Sequence, residues 1–192
     1  MGKQFASMTP AHRDFIARQH IFFAASATAT SRVNVSPRPT DVLRILDELT
    51  VAFLDLTGSG SETAAHLRAD GRITLMFCAL EEPPSILRLY GRGTSFPRTS
   101  EDYAALLASA YGNQAPLVAR QIVRIDIDLV QTSCGYGVPL FEFVGERDIL
   151  RRWAEQKGDA GWKSTAARRT RAVWMDYRRA LPTSSPHHVP GQ

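Results

Sequence analysis

Apolar and polar residues alternate in several short segments between residues 20 and 130. A period of two is typical of strands that are buried on one face only. The clearest example is Arg32–Ser36, in which Val33 and Val35 alternate with polar residues. Proline lacks a backbone N–H, so Pro37 and Pro39 are expected to end this strand. Six strands are predicted in total: His20–Ala25, Arg32–Ser36, Thr50–Leu56, Arg72–Leu80, Ser85–Phe96 and Val118–Val130.

The last predicted strand does not alternate strictly, because its isoleucines fall at positions 122, 125 and 127. A break of this kind predicts a bulge or a bend within the strand. The other segments are predicted as a loose terminus at Met1–Gln4, a helix from Thr9 and Pro10 to about Arg18 or Gln19, a short helical or turn segment at Asp41–Leu46, a helix ending at Asp70–Gly71, a helix from Thr99–Asp102 to about Tyr111, and late helices at Glu146–Lys157 and Ala160–Ala180.

The order of these elements predicts a fold that is mainly β. A doubly wound parallel sheet would need a helix after nearly every strand, and the sequence does not supply them. Strands at regular spacing with few helices between them instead favour a β-barrel with flanking helices. The helices predicted after residue 140 then pack outside the barrel.

Composition narrows the class of protein. The chain has 192 residues, of which 44% are apolar, and a net charge of +4. Residues 146–180 hold ten Arg/Lys and five Asp/Glu, so the positive charge belongs to the predicted late helices. A solvated helix face explains this charge better than nucleic-acid binding does. No apolar run reaches the length of a membrane span, and no secretory signal is recognised. With two cysteines and no metal-ligand spacing, a cytoplasmic protein without a metal is expected.

One turn of the chain is a candidate anion-binding site. The Gly/Ser turn at residues 57–61 runs directly into a helix, and a helix start can bind an anion through its unpaired N–H groups. The hydroxyls of Ser59, Ser61 and Thr63 suit a phosphate. The alternative is structural: Ser59 and Glu62 have the spacing of a capping box, in which the glutamate serves the helix itself.

Five segments, in this order along the chain, resemble the pyridoxamine 5′-phosphate oxidase-like family of FMN-binding split β-barrels. They are NVSP at Asn34–Pro37, the strand Val51–Leu56, the turn and helix Ser59–Leu67, RITLMF at Arg72–Phe77 and LRLYGRG at Leu87–Gly93. A sixth segment, QTSCGYGVP at Gln131–Pro139, looks like a motif of one branch of that family.

The resemblance implies a six-stranded antiparallel split β-barrel that forms a homodimer with two FMN sites at the interface. Flavin-ring contacts are expected from Arg32, Val33, Asn34, Val35 and Ser36. Phosphate contacts are expected from Thr57, Ser59, Ser61, Glu62 and Thr63, and Arg88 belongs to the stretch with which the partner closes the site. The implied domains are an N-terminal helix (1–19), the FMN-binding barrel (20–139), a C-terminal helical extension (140–181) and a disordered tail (182–192).

The sequence departs from the family at the helix start. Many flavin-binding members carry Ser-Arg-Lys where this chain has Ser61-Glu62-Thr63, so a cation is replaced by a carboxylate. Arg32, Arg38 or an arginine of the partner could compensate. The cofactor therefore stays open between FMN, a deazaflavin, haem and none.

The expected function is an FMN-binding oxidoreductase acting on a small molecule. No catalytic residue is predicted, because flavin chemistry often needs none beyond the cofactor's own nitrogen. The alternatives are a non-catalytic binding or stress protein and a barrel that has lost its cofactor. Pyridoxamine 5′-phosphate oxidation itself is not expected, because helices and a Pro/His tail replace that enzyme's C-terminal strand.

Overall fold

The computed structural model describes residues 2–58, 61–158, 161 and 164. Its strands are β1 (Lys3–Phe5), β2 (Ile21–Ser26), β3 (Asn34–Pro39), β4 (Leu43–Ile45), β5 (Thr50–Leu56), β6 (Arg72–Cys78), β7 (Ile86–Pro97) and β8 (Ala119–Ser133). Its helices are α1 (Pro10–Ala17), α2 (Glu62–Ala69), α3 (Glu101–Tyr111) and α4 (residues 149–158), with a 3-10 turn at Thr40–Val42.

All the strands belong to one antiparallel sheet. Its order is β3-β2-β6-β7-β8-β5-β4, and β1 pairs with the far end of β8. The long central strands β7 and β8 let the sheet curl over one core, as in a split β-barrel. The expected fold class, mainly β with flanking helices, is therefore confirmed.

The core lies inside this curled sheet. Phe22, Phe53 and Phe77 are fully buried there. The centroid of the Phe22 ring lies 5.7 Å from the centroid of the Phe53 ring and 5.6 Å from that of the Phe77 ring. Each phenylalanine occupies the inward position of its strand. Aromatic side chains dominate the energetics of such cores because each buries a large apolar area.

The predicted irregularity of the last strand is confirmed. On β8, Arg120 is skipped where Asp55 pairs with Gln121 and Leu56 with Ala119. A second register shift lies further along, between Tyr90 and Gly91 of the opposite strand. Each shift adds a residue to β8 and bends it, which increases the curvature of the sheet.

The strand predicted at Arg32–Ser36 differs in position and orientation. It begins at Asn34 and continues through Pro37 and Pro39, which pair with β2. The prediction that these prolines end the strand is wrong. Because β3 is an edge strand, its open side forms no ladder hydrogen bonds, and a proline without an N–H on that side removes none. Val35 is 57% exposed, so Asn34, Ser36 and Arg38 of β3 face inward and its valine does not.

Two short strands raise the count from the six predicted to eight. The predicted loose terminus at Met1–Gln4 contains part of β1, and the predicted helical or turn segment at Asp41–Leu46 contains β4 after the 3-10 turn. Both strands have three residues, too few for their alternation to stand out in the sequence.

The C-terminal helices are described only in part. The first starts at residue 149 instead of the predicted Glu146, and its continuous described part runs to residue 158. Apart from residues 161 and 164, the predicted helix Ala160–Ala180 and the tail at 182–192 lie outside the described residues. Among the described helices, none has the length and apolar character needed to cross a lipid bilayer.

Candidate functional site

A cleft of about 450 Å³ opens between the edge strand β3, the end of β5 and the start of α2. Its size falls within the range of roughly 300–1,000 Å³ that is usual for small-molecule sites. Its polar lining comes from Asn34, Ser36, Arg38, Asp55, Thr57, Glu62, Thr63 and Arg120, while Leu56 of β5 and Leu150 of α4 are among its apolar residues.

Asp55 is the buried centre of this cleft. Its carboxylate is fully inaccessible to solvent and accepts hydrogen bonds from three side chains. The donors are Nη1 of Arg38, 2.5 Å from Oδ1, Nε of Arg120, 2.7 Å from Oδ2, and Nε2 of Gln121, 2.6 Å from Oδ2. A buried carboxylate with this many donors is stable in its ionised form.

Two opposing effects set the pKa of Asp55. Burial raises the pKa, since a charge is poorly solvated inside the protein. The charges of Arg38 and Arg120, with the hydrogen bonds from Arg120 and Gln121, lower it by more, so the pKa lies below its usual value. Two guanidinium groups thus share one carboxylate, and this cluster carries a net charge of +1.

Arg120 also contacts the start of α2. Its Nη1 donates a hydrogen bond to Oγ of Ser61, at 2.9 Å. Ser61 is the N-cap residue of the helix, but its hydroxyl makes no capping bond to the helix backbone. Glu62 is the first helical residue, so the predicted capping box, which requires this glutamate at the third position, is wrong.

A chain of polar side chains joins α2 to β2 and β3. Nδ2 of Asn34 donates to Oγ1 of Thr63 at 2.9 Å and to Oγ of Ser26 at 3.4 Å. Ser26 Oγ lies 3.1 Å from Nδ1 of the buried His66, and Ser36 donates to Oδ1 of Asn34 at 3.2 Å. These bonds fix the side chains on the β3 wall of the cleft.

Thr57 supplies an unsatisfied polar atom. The residue is 1% exposed and lines the cleft, and its Oγ1 has no hydrogen-bond partner among the described residues. Its backbone N–H is used, because it donates to the carbonyl oxygen of Val118 at 2.8 Å. Buried hydroxyls are nearly always hydrogen-bonded, so this one is suited to a ligand in the cleft.

The structure brings together about half of the residues predicted for cofactor binding. Asn34, Ser36, Thr57, Glu62 and Thr63 line the cleft, and Ser61 reaches it through Arg120. Arg38, suggested as a compensating cation, is also there.

The other predicted residues that the structure describes lie elsewhere. Arg32 and Val33 precede β3 and are exposed, and Val35 points away from the cleft. Arg88 lies on the opposite face of the sheet, where its Nη1 is 3.2 Å from Oγ of Ser133. Ser59 lies outside the described residues.

Sequence reasoning missed the centre of the site. Asp55, Arg120 and Gln121 were not predicted, although Asp55 stands out as a charged residue within the apolar strand VAFLDL. A charged residue in a buried strand is costly unless it is paired, so its presence in this strand indicates a buried cationic partner.

A second, wider cleft of about 780 Å³ adjoins the first. The two share Arg38, Leu56 and Leu150, and the second extends along α4. Its walls include the apolar side chains of Ile21, Leu117 and Phe143, and the Phe143 ring stacks on His20 with 3.7 Å between ring centroids.

Within the described residues, no group of acidic, histidine or cysteine side chains could hold a metal ion.

Comparison of the sequence with known proteins identifies a matching family and a relative. The family described as pyridoxamine 5′-phosphate oxidase matches residues 8–134. A curated relative, the pyridoxamine 5′-phosphate oxidase family protein ustO of Aspergillus flavus, is 39% identical over 141 residues, which is 72% of this chain. The match spans 56% of the relative's length.

Solved structures match at the level of the fold. Two crystal structures of HupZ from Group A Streptococcus superpose with TM-scores of 0.53 and 0.51, both at 20% identity. They cover 65% and 64% of this chain, and 98% and 91% of the HupZ chains.

Proposed function

Because this chain belongs to the pyridoxamine 5′-phosphate oxidase family, we propose that its first cleft binds flavin mononucleotide and that the protein is an FMN-dependent oxidoreductase. The observation that carries this proposal is the buried hydroxyl of Thr57, which has no hydrogen-bond partner within the part of the chain that the structure describes and lines a cleft with two guanidinium groups. An orphaned buried donor beside fixed cations suits an anionic ligand with acceptor oxygens.

The residues of the cleft fit the phosphate group of such a cofactor. Backbone N–H groups in the first turn of α2 have no partner within the helix, and the helix dipole adds positive potential there. Arg38 and Arg120 supply positive charge, and Thr57 and Thr63 supply hydroxyls. Glu62 opposes binding, but its side chain is exposed and its charge is therefore screened.

The bound cofactor would supply hydride or electron transfer, which no side chain of the protein can perform. The chain's own residues bind and orient. Asn34 and Ser36 are held by their mutual hydrogen bond on one wall, and Leu56 and Leu150 reduce the access of water. The adjoining apolar cleft supports a small-molecule substrate with an apolar body.

The test is the flavin content and flavin affinity of the purified protein. We expect absorbance in the flavin bands, or tight uptake of added FMN, and reduction of the bound flavin by NADH or NADPH without oxygen. Ser61→Asp should weaken FMN binding strongly, because the new carboxylate would pair with Arg120 and repel the phosphate. Ser109→Asp, on the exposed face of α3, is the matched control. A colourless protein that takes up no FMN would contradict the proposal.

A second candidate function is a barrel that binds a flavin or another ligand without catalysis, or that has lost its cofactor. It is favoured by Glu62, which lines the cleft at the position where many flavin-binding relatives have a cation. Flavin that binds but is not reduced by any donor would support this candidate over the oxidoreductase.

We also propose that the protein is a homodimer. The outer face of the sheet carries half-buried side chains that alternate with the core, including Phe23, Met76, Tyr90 and Leu129. Paired apolar residues on an open sheet face are typical of a surface that meets another chain. Arg88 lies on the same face, as expected if it contributes to the partner's cofactor site.

Met76→Lys should convert the protein from a dimer to a monomer, because it places an unpaired ammonium group on this face directly opposite Arg88. Light scattering during size-exclusion chromatography measures the mass directly. Met76→Leu conserves the apolar volume and should remain dimeric. A wild-type protein that is monomeric at micromolar concentration would disprove the dimer.

A further inference from the structure

The start of α2 offers no basic side chain of its own, since its first residues are Ser61, Glu62 and Thr63. The structure brings cations to this helix start from other strands. We infer that Arg120 of β8, held by Asp55, binds the phosphate group of the cofactor in place of the missing basic residues. This inference rests on the proposed function, since it assigns the phosphate subsite of the same cleft.

The β-bulge at Arg120 explains how this side chain reaches the cleft. Neighbouring residues of a regular strand point to opposite faces of the sheet. Here Arg120 and Gln121 are neighbours, yet both contact Oδ2 of Asp55, at 2.7 and 2.6 Å. Both contacts are compatible because Arg120 is the extra residue of the bulge, where the local bend redirects its side chain.

Contacts with Asp55 and Ser61 help to fix the Arg120 guanidinium at the helix start. Its Nε is bound to Asp55 and its Nη1 to Ser61 Oγ, at 2.7 and 2.9 Å. The side chain is 14% exposed, so it borders the cleft without being free in solvent. A guanidinium that is oriented before the ligand arrives loses little entropy on binding, and its planar fork matches phosphate oxygens.

The charge of the cluster favours an anion. Asp55 balances one of its two arginines, which leaves one positive charge on the buried cluster, while the Glu62 carboxylate in the cleft lining is exposed and screened. Arg38 binds the other carboxylate oxygen, so the two guanidinium groups approach Asp55 through different atoms.

An independent observation also indicates a ligand here. Thr57 is at least nine-tenths buried, lines the same cleft as Arg120 and has an Oγ1 without a partner among the described residues. A phosphate oxygen held by Arg120 would give this hydroxyl the acceptor that the described residues do not supply.

The experiment compares FMN with riboflavin, which has the same ring system without the phosphate. For wild-type protein, we expect FMN to bind at least about 10-fold more tightly than riboflavin by fluorescence quenching. The double variant Asp55→Asn with Arg120→Gln removes one charge of each sign, so the net charge of the cleft is conserved. This variant should lose roughly 10- to 100-fold in FMN affinity and keep its riboflavin affinity.

A second variant and a matched control guard against loss of folding. Arg120→Lys keeps a cation beside Asp55 but loses the planar fork, and should show a smaller loss specific to FMN. Arg124→Gln changes another β8 arginine, which pairs with the exposed Asp126, and should leave both affinities unchanged. Inorganic phosphate should compete with FMN on the wild-type protein and should not compete on the double variant.

The outcomes separate the two proposals. Wild-type protein that binds neither flavin would overturn the proposed function and, with it, this assignment. Binding of both flavins with equal affinity, or Arg120 variants that retain the wild-type preference for FMN, would overturn the assignment of Arg120 alone. Circular dichroism on each variant establishes that the compared proteins are folded.

Discussion

Asp55→Ala should lower the free energy of unfolding by about 3–5 kcal/mol. The substitution removes the carboxylate that binds two guanidinium groups, whose side chains are 12% and 14% exposed. Arg38 and Arg120 would then repel each other in a poorly solvated place, and Gln121 would lose an acceptor. Urea denaturation followed by circular dichroism measures the loss, which is a large part of the roughly 5–15 kcal/mol of a typical domain.

The control for this prediction is an exposed ion pair. Asp126→Ala breaks the contact with Arg124, in which both side chains are more than 40% exposed. Its effect should stay within about 0.5 kcal/mol, because solvent screens such pairs. Similar effects for the two alanine variants would contradict a structural role for the Asp55 cluster.

The same cluster should make stability depend on pH. The pKa of Asp55 is lowered in the folded protein, so its contribution is fully present above the unfolded value of about 3.9. Stability is then lost as the pH falls from about 3.9 through the lower folded pKa, because protonation removes the charge that the arginines stabilise. Asp55→Asn should flatten this part of the pH profile; parallel profiles for variant and wild type would exclude the linkage.

Gly91→Ala should destabilise the protein by about 3 kcal/mol or more. Gly91 lies at the register shift between β7 and β8. A Cβ at this position would lie 2.1 Å from the carbonyl oxygen of Asp126 and 3.0 Å from the Cα of Ile127. Both are backbone atoms of the central strand pair, so relief would require the strands to separate.

Thermal unfolding should show this effect as a fall in Tm of about 6–12 °C. Gly137→Ala provides the comparison, since a Cβ there has no described atom within 4 Å. Its Tm should equal that of the wild type to within about 1–2 °C. A Gly91→Ala protein with unchanged Tm would mean that the two central strands can move apart freely.

Much of the fold could be predicted from local patterns. The strand Thr50–Leu56 and the start of α1 at Pro10 lie where the sequence predicts them. Both depend on interactions between near neighbours, a run of residues suited to a strand in one case and the Thr9 cap in the other. The orientation of β3 could not be predicted, because a two-residue period identifies two faces without saying which one is buried.

Only the part of the candidate site at the start of α2 could be predicted from the sequence. Thr57, Ser61 and Thr63 are close in sequence, and a Gly/Ser turn before a helix is a local signal. Arg120 is 59 residues from Ser61 and 65 from Asp55, and its position depends on a bulge in β8. Nothing local to Arg120 distinguishes it from the other arginines of the chain.

The class of fold, most strands and the helix start that faces the cleft follow from the sequence alone, because alternation, capping and turn chemistry act over a few residues. Which charges meet at that helix start depends on how distant strands pair. The pairing of β5 with β8 sets Asp55 against Arg120, and the edge position of β3 turns Arg38 and Asn34 into the cleft. The physical reason is that strand pairing and bulges place side chains by contacts between distant segments, which no local pattern encodes.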